Sequence, residues 1–395
     1  MIRHLLKLVW NRKRANALIM LEIFISFLVL VAVLTMAVST LGRWGQPLGF
    51  DYHDVWTVRI DLGRSLGNID AADAELVERV MRELRTFPQI ESLAASGMPP
   101  YSNAVWEGRW TVEGKPVDVT RDQVTDDFAK VLRIPILRGR WFSAADDGAS
   151  YSPVVIDSDL AKAAFGNADA IGKKFPEGKR ELRVVGIIPP YRKYGELSPP
   201  DVHMAFSRVA MRGPDAEAPR NVLIRVRPGT PAAFEETLTK RLHDLAPDRG
   251  FRVNRMENQR SLMNRVRMTP VIIGGIVALF LISMVTLGLT GVLWQNVTRR
   301  TREIGLRRAL GASGGSVRGQ IVAEVALLAT IAVVLGIVIL AQLPMLGVFR
   351  VVTPPMFAAG IAMALGVIYG ITLLCGMYPG WLASRVPPAE ALRYE

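Results

Sequence analysis

The residue types that most often carry chemistry are few and scattered in this sequence. Its four histidines, His4, His53, His203 and His243, show no H-E-x-x-H spacing, and the single cysteine, Cys375, lies in a long apolar run. A zinc protease site needs two histidines four residues apart on one helix face, and an intramolecular disulfide or a cysteine-based metal site needs at least two cysteines. The sequence therefore predicts no metal site and no internal disulfide.

Phosphate-binding and nucleophile motifs are also missing. No G-x-x-x-x-G-K-[ST] loop occurs, and Gly172-Lys173-Lys174 lacks both the upstream glycine and the following hydroxyl residue. No G-x-S-x-G elbow is present. The acidic residues of the central region show no spacing that marks an acid–base pair. We therefore predict that the chain is not an enzyme and that it binds no cofactor itself.

One stretch, RRTREIGLRRALGASGGSVRGQIVAE at residues 299–324, has a pattern suited to binding another protein. It begins as a short basic helix, in which Glu303 and Arg307 are four residues apart and can pair. Three side chains give this helix an apolar edge: Ile304, Leu306 and Leu310. A short helix of this kind fits a groove on a partner. Anchoring of its basic residues to anionic lipid is the alternative.

Four apolar segments are long enough to cross a bilayer as helices. They cover residues 17–41, 270–294, 321–343 and 357–377. A helix needs about 20 apolar residues to span the hydrocarbon layer, and a buried core helix rarely stays apolar on every face for so long. Ala37-Val38-Ser39 resembles a signal-peptide cleavage site, but the first segment exceeds the roughly 7–15 apolar residues of a signal peptide. We expect it to remain as a span.

The distribution of lysine and arginine predicts the orientation of these spans. Basic residues cluster before the first span, between the second and third, and after the fourth, whereas the 344–356 loop has only Arg350. Because basic loops stay in the cytoplasm, we predict that both termini, the 295–319 loop and the 378–395 tail are cytoplasmic. Residues 1–16 also carry leucines and a tryptophan, which fits either an interfacial helix or a charged anchor.

Two acidic residues and several glycines stand out in and beside the spans. We expect Glu22 and Glu324 to pair with arginine or to reach the headgroups, and an interhelical or ion-coupling role is the alternative. Glycines four residues apart allow close helix approach and occur as Gly366 with Gly370 and Gly376 with Gly380. We expect Gly311 and the Gly314-Gly315 pair to end the loop helix before the third span.

Residues 43–268, between the first two spans, are predicted to form one α+β domain facing outward. Two stretches have a strand–helix–strand pattern: 54–63, 71–87 and 89–96, and then 221–229, 231–246 and 250–256. We expect one subdomain from about 50–96 and 200–258, with a β-rich insert at about 97–200. The predicted fold class is an α-helical membrane protein with four transmembrane helices and an α+β periplasmic domain inserted between the first and second.

The segment REIGLRRALGAS, residues 302–313, resembles the hallmark of FtsX-like ABC transporter permeases of the MacB type, within the type VII superfamily. The C-terminal stretch 378–395 resembles that family's ending at Pro388, Ala391, Leu392, Arg393 and Glu395. Residues 126–147 and 165–175 resemble its periplasmic core domain. The order of one span, a large domain and three further spans is also the family's, so the resemblance covers nearly the whole chain.

The resemblance implies a partner and a mechanism. In this family the loop after the second span is a coupling helix that docks on an ABC ATPase. The corresponding residues here are Arg302, Glu303, Ile304, Gly305, Leu306, Arg307, Arg308, Ala309, Leu310 and Gly311. Such permeases act as homodimers or heterodimers above two ATPase subunits, which hold ATP and Mg²⁺, and they pass ATP-driven motion to their periplasmic domains (mechanotransmission). Because this sequence has no P-loop, we expect a separate ATPase subunit.

We therefore predict a permease of the bacterial inner membrane, embedded in lipid and without a nucleic-acid partner, that exports or extracts a periplasmic or membrane substrate. A periplasmic adaptor and an outer-membrane channel are further candidate partners. The alternatives are an FtsX-like regulator of a periplasmic hydrolase, a lipoprotein-release permease and a membrane sensor that transports nothing. Trp106, Trp110 and Trp141 suit an amphipathic or anionic cargo, but we favour core packing for all three rings.

Overall fold

The computed structural model describes most of the chain, in two compact units. The described residues are 13–63, 71–104, 106–112, 115–175, 181–198, 203–211, 218–299, 305–307, 309–310, 312–346 and 352–384. The helical unit comprises Met1–Gly42 and Met268–Glu395, and the inserted domain comprises Arg43–Arg267. The interfacial segment 1–12 and the tail 385–395 lie outside the described residues, so the predictions for them stay predictions.

Along the chain, one long helix is followed by a region of mixed helices and strands and then by three further long helices. The helices are α1 (Lys13–Trp44), α2 (Ala71–Leu84), α3 (Phe128–Val131), α4 (Ser158–Phe165), α5 (Phe234–Leu245), α6 (Met256–Arg299), α7 (Gly314–Leu340) and α8 (Pro354–Ser384). The strands are β1 (Val55–Asp61), β2 (Ile90–Ser96), β3 (Glu107–Val112), β4 (Lys115–Val124), β5 (Arg138–Gly139), β6 (Ser152–Asp157), β7 (Lys174–Phe175), β8 (Leu182–Ile188), β9 (Met204–Arg208), β10 (Asn221–Val226) and β11 (Gly250–Arg255).

Four helices, α1, α6, α7 and α8, are long and apolar enough to cross a membrane, which confirms the predicted fold class. The second predicted span, residues 270–294, lies within a longer helix, because α6 begins at Met256. Its first turns, MENQRSLMNRVR, are polar and gave no span signal. At about 1.5 Å per residue, α6 is about 66 Å long, roughly twice the thickness of the hydrocarbon layer.

The core of the helical unit draws side chains from all four long helices. Phe27 of α1, Leu289 of α6, Ala332 of α7 and Ala364 of α8 are all buried in one cluster. Small residues permit the close approaches within it, as expected in membrane bundles. However, the predicted Gly366–Gly370 pair plays no part here, because no described atom lies within 4 Å of an added Cβ at either glycine.

The inserted domain is built on one eleven-stranded sheet with the order β11-β1-β10-β2-β4-β9-β6-β8-β5, in which β3 also pairs with β4 and β7 with β8. Its first half is the antiparallel set β11, β1, β10 and β2, and its second half contains the other strands. The two halves are joined in the sheet by one residue pair, Ser96 with Val124. Both strand–helix–strand stretches lie in the first half.

One predicted boundary of the inserted domain is wrong. We assigned residues from about 200 onward to the first half, but β9 lies in the second half, parallel to β4 and antiparallel to β6. The cause is that β9 is short and its pairing partners are distant in sequence, so nothing local to 204–208 specifies which half it joins.

Three apolar clusters hold the inserted domain together. Helices α2 and α5 cover the first half of the sheet around Val80 and Leu238. Helix α4 covers part of the second half around Leu160. The third cluster takes residues from both halves, including Ala94 of β2 and Phe206 of β9. A side chain as large as Phe206 contributes about 1.5–3 kcal/mol when it is fully buried rather than exposed. The shared cluster therefore stabilises the junction at which Ser96 pairs with Val124.

Candidate functional site

The loop between α6 and α7 presents an apolar pair to its surroundings. Leu306 is 52% exposed and Leu310 is 80% exposed. The amide of Leu310 donates to the carbonyl oxygen of Leu306 at 3.0 Å, so the two side chains are one helical turn apart and share a face. Gly305 is buried and Ala309 is exposed. Two large exposed leucines on one turn form a surface that fits docking in a groove.

Polar contacts fix this turn to the start of α7. The Arg307 guanidinium donates to Oε1 of Gln320 at 2.8 Å, and the Gln320 amide donates to Oε1 of Glu324 at 3.4 Å. Glu324 is thus linked to Arg307 through Gln320 in the described contacts. Glu22, in contrast, packs its carboxylate against Gly288 of α6.

The predicted break before the third span is partly wrong. Ser313 caps α7, its hydroxyl oxygen accepting from the amide of Ser316, and the helix begins at Gly314. Gly314 and Gly315 therefore lie in the first turn of α7 and do not separate it from the loop. The helix can begin there because the Ser313 side chain accepts a hydrogen bond from an amide of the first turn.

Several predicted site residues lie outside the described part of the chain. In the loop these are Arg302, Glu303, Ile304, Arg308 and Gly311. In the tail they are Pro388, Ala391, Leu392, Arg393 and Glu395. The Glu303–Arg307 pair and the tail motif therefore stay predictions. Among the residues that are described, no group of three or more His, Cys, Asp or Glu side chains could hold a metal ion.

A second candidate site is a cleft of about 1000 Å³ within the inserted domain, which the sequence did not predict. Its floor is the face of β4 and β9 that carries Gln123 and Ser207. Met81 of α2 lines it from the first half of the sheet, and Tyr151 lines it from the second. Ligand sites for small molecules typically enclose about 300–1,000 Å³, so the cleft is large enough for a ligand.

Several acidic side chains along the cleft are paired with arginines. Arg208 donates to both carboxylate oxygens of Asp126, at 2.6 and 2.8 Å, and also to Asp147. Arg140 pairs with Asp146, and its hydrogen bonds hold the pKa of that carboxyl below the ordinary range. These arginines offset part of the negative charge of the lining, in which five carboxylates accompany three arginines.

One tryptophan contradicts the core-packing expectation. Trp110 and Trp141 are buried, as expected, but Trp106 is 45% exposed and lines the cleft. The Arg121 guanidinium lies 4.9 Å from the centre of the Trp106 ring, a cation–π distance. Trp106 is four residues before Trp110, so strand alternation alone would place both rings on one face. Trp106 differs because it lies before the first residue of β3, Glu107.

Two carboxyl groups are buried in the second half of the inserted domain. Asp122 accepts from the Ser96 hydroxyl at 2.7 Å and from the Met98 amide at 2.9 Å. Asp157 accepts from the amides of Leu160 and Met204. Burial outweighs these hydrogen bonds and raises the pKa of Asp122 to about 6 and the pKa of Asp157 to about 7.

These raised pKa values predict a pH-dependent stability. A carboxyl whose pKa is higher in the folded state binds its proton more tightly there, so stability is lost as pH rises from its unfolded value through the folded one. For Asp122 this amounts to roughly 3 kcal/mol between about pH 4 and pH 7. We expect the unfolding temperature, followed by tryptophan fluorescence of the protein in detergent, to fall between about pH 4 and pH 7.

The isosteric variants Asp122→Asn and Asp157→Asn are the controls for this prediction. Each removes the titrating proton but keeps a carbonyl oxygen that can accept the amide hydrogen bond. Both variants should flatten the pH profile. An unfolding temperature that is as pH-dependent in the double variant as in the wild type would show that other groups cause the effect.

Comparisons with known proteins relate both units to described families. A family described as the MacB-like periplasmic core domain matches residues 17–241. A second, the FtsX-like permease C-terminal family, matches residues 275–388. Together the two matches take in the inserted domain up to α5 and most of the segment from the second span to the start of the tail.

Individual relatives share these features. The chain is 27% identical to the macrolide export ATP-binding/permease protein MacB of Bordetella avium, over 84% of this chain and 49% of that protein. It is 24% identical to MacB 2 of Aeromonas hydrophila, over 98% of this chain and 61% of that protein. The chain thus spans about half the length of these curated relatives. The crystal structure of the periplasmic region of MacB from Actinobacillus actinomycetemcomitans covers 56% of this chain, with 17% identity and a TM-score of 0.39.

Proposed function

The chain belongs to the FtsX-like ABC transporter permeases with a MacB-like periplasmic core domain, and we propose that it couples ATP hydrolysis by a separate subunit to movement of its inserted domain. As a member of this family it is an inner-membrane protein with a periplasmic-type domain. In the proposed arrangement both termini and the α6–α7 loop are cytoplasmic, in keeping with the basic residues that flank them.

The exposed pair Leu306 and Leu310 is the observation that carries this proposal. Apolar side chains that are 52% and 80% exposed on one helical turn gain free energy when a partner covers them. The hydrogen bond from Arg307 to Gln320 fixes this turn to α7. A force applied to the docked leucines would therefore act on a transmembrane helix rather than on a loose loop.

Helix α6 supports the second half of the proposal, the transmission to the inserted domain. It is one helix from Met256 to Arg299. Its residues 256–267 belong to the inserted domain, where Met256 and Met263 are buried in the shared apolar cluster. The helix that precedes the proposed coupling loop thus begins inside the core of the inserted domain.

For the substrate, we propose export or extraction of an amphipathic molecule from the periplasm or the membrane. The relatives are named as macrolide exporters, and a cleft that combines charged side chains with the exposed Trp106 ring supports an amphipathic ligand. A second permease chain, a periplasmic adaptor and an outer-membrane channel complete the proposed assembly. Lipoprotein release is the alternative cargo within the family.

Co-purification from native membranes in mild detergent tests the proposed function. We expect an ATP-binding protein to accompany the intact chain and to be lost when residues 299–314 are replaced by a neutral linker. A matched replacement of residues 344–353, the loop between α7 and α8, should retain it. Permease chains of a different sequence in the eluate would indicate a heterodimer.

The other outcomes separate the alternatives. Absence of any ATPase with the intact chain would refute the proposal and favour a membrane sensor. An ATPase accompanied by a periplasmic hydrolase bound through the inserted domain would favour the regulator. Retention of the ATPase after replacement of residues 299–314 would move the docking surface to another part of the chain.

A further inference from the structure

Residues 191–198 lie where the two long helices that enter the inserted domain meet its second half. Arg43, at the end of α1, donates to the carbonyl oxygen of Ser198 at 3.5 Å, and Arg192 donates to the carbonyl oxygen of Arg43 at 3.5 Å. The segment is almost entirely buried, although it is a connection between β8 and β9. Loops normally run over the surface, so a buried loop of charged and aromatic residues needs a specific set of partners.

Helix α6 holds this segment through three residues on one of its faces. Arg260 donates through Nε to Glu196 at 2.7 Å and through Nη2 to the same oxygen, and Asn264 donates to the other carboxylate oxygen at 3.3 Å. The Arg267 guanidinium lies 4.2 Å from the centre of the Tyr194 ring. Residues 260, 264 and 267 are spaced at four and three, which places them on one helix face.

The ion pair at Glu196 is largely shielded from water. The Glu196 side chain is 8% exposed and that of Arg260 is 28% exposed. Burial is the largest influence on Glu196 and opposes its ionisation, but the hydrogen bonds and charge of Arg260, together with the backbone and Asn264 hydrogen bonds, lower the pKa of the carboxyl. Removing one partner of a buried pair leaves an uncompensated charge, which is costly. Helix α6 and residues 191–198 should therefore move as one body.

Residues 191–198 are also hydrogen-bonded to residues 97–104, which follow β2 and lead from the first half of the sheet to the second. We call residues 97–104 the crossover. Lys193 is fully buried and donates from Nζ to the carbonyl oxygen of Ala104. The amide of Tyr101 donates to the carbonyl oxygen of Lys193 at 2.8 Å. At its other end the crossover is held by Asp122, which accepts from the Met98 amide. The crossover leads directly to Trp106 in the cleft.

We propose that Glu196 is the positioning residue through which movement of α6 reaches residues 191–198, then the crossover 97–104, and so changes the width of the cleft. The two halves of the sheet share one ladder pair, Ser96 with Val124. Because so little of the sheet joins them, a change in the angle between the halves is easiest at this junction. This inference rests on the proposed function, since it assumes that ATP hydrolysis moves α6. A chain of contacts alone does not establish coupling, so the test measures the cleft directly.

The test is a distance between spin labels across the cleft. Because Cys375 is the single cysteine, a Cys375→Ala background allows labels at two exposed sites, Arg79 on α2 and Ser150 on the opposite wall. In the complex with its ATPase, we expect the distance distribution to shift between the nucleotide-free and the vanadate-trapped state. A pair at Arg79 and Lys240, both in the first half, should not shift.

Glu196→Gln is the decisive variant, with Glu181→Gln as its control. Glu181 pairs with Lys174 and Arg183 in the second half but touches neither α6 nor the crossover in the described contacts. We expect Glu196→Gln to abolish the shift across the cleft while ATPase binding persists, and Glu181→Gln to retain the shift. If Glu196→Gln lowers the yield of folded protein, Arg267→Gln removes the contact with Tyr194 and should reduce the shift.

The outcomes distinguish this inference from the proposed function. A shift that persists in Glu196→Gln and Arg267→Gln would overturn the role of Glu196. A bound ATPase with no shift in the parent protein would overturn the movement of the cleft. Absence of a bound ATPase from the parent protein would instead overturn the proposed function.

Discussion

Substitution of Leu306 and Leu310 by aspartate is expected to abolish capture of the ATPase by the solubilised protein. The two side chains are the large apolar surface of the described part of the coupling loop, at 52% and 80% exposure. Interface anchors of this size typically cost about 2 kcal/mol or more when lost. Two such losses, about 4 kcal/mol, correspond to a roughly 1,000-fold weaker complex. Pull-down with the tagged permease and quantification of the bound ATPase would measure this.

The control for this prediction is Leu346→Asp. Leu346 is 78% exposed in the short turn after α7 and is therefore as accessible as Leu310. It lies in the loop that we place on the opposite side of the membrane, so its substitution should leave ATPase capture unchanged. Equal loss in both variants would point to a general defect of insertion or folding. Undiminished capture in the Leu306/Leu310 double variant would contradict the proposed docking surface.

The four spans could be predicted from the sequence because their signal is local and redundant. Each apolar run exceeds the length that a bilayer requires, so an error of several residues at either end does not change the prediction. The start of α6 illustrates the limit. Residues 256–267 are mostly polar because one side of this helical segment faces solvent. Met256 and Met263 are the residues of the segment that pack in the apolar cluster. Of the four apolar residues in this segment, Leu262 and Val266 are exposed, so their spacing does not show which face of the helix is buried.

The inserted domain shows the same division between local and distant information. Strands β1, β2, β10 and β11 were predictable, since each alternates or flanks an amphipathic helix. The parallel pairing of β9 with β4 joins residues more than eighty positions apart and has no local signature. The cleft follows from that pairing, because its floor combines Gln123 of β4 with Ser207 of β9. A site assembled by non-local pairing could therefore not be found from the sequence.

The contacts of Glu196 were hidden for a related reason. In the sequence Glu196 is one acidic residue in a Gly- and Pro-containing loop, and such residues are usually solvated. Its partners, Arg260 and Asn264, are more than sixty residues away. Arg260 and Arg267 precede the second span on the side that we predict to face outward, where the positive-inside rule does not favour basic residues. In the structure these two arginines hold residues 191–198, since Arg260 pairs with Glu196 and Arg267 stacks on Tyr194.

Substitution of Gly360 by valine is expected to prevent recovery of a folded helical unit. A Cβ at Gly360 would lie 2.0 Å from Oγ1 of Thr35 and 2.9 Å from the backbone nitrogen and Cα of that residue. The obstacle is partly helix backbone, which cannot rotate away as a side-chain end can. Thr35 is itself buried, so α1 and α8 would have to separate along a packed face. Overpacking of this kind costs about 1–3 kcal/mol or more.

The matched control is Gly366→Val, on the same helix. An added Cβ at Gly366 meets no described atom within 4 Å, and valine has the same modest helix propensity at either site. In fluorescence-detected size exclusion, Gly360→Val should lose the monodisperse peak and Gly366→Val should keep it. If a second permease packs on Gly366, that variant would elute as a smaller, still folded species. Equal recovery of Gly360→Val and the wild type would show that α1 and α8 are not in close contact there.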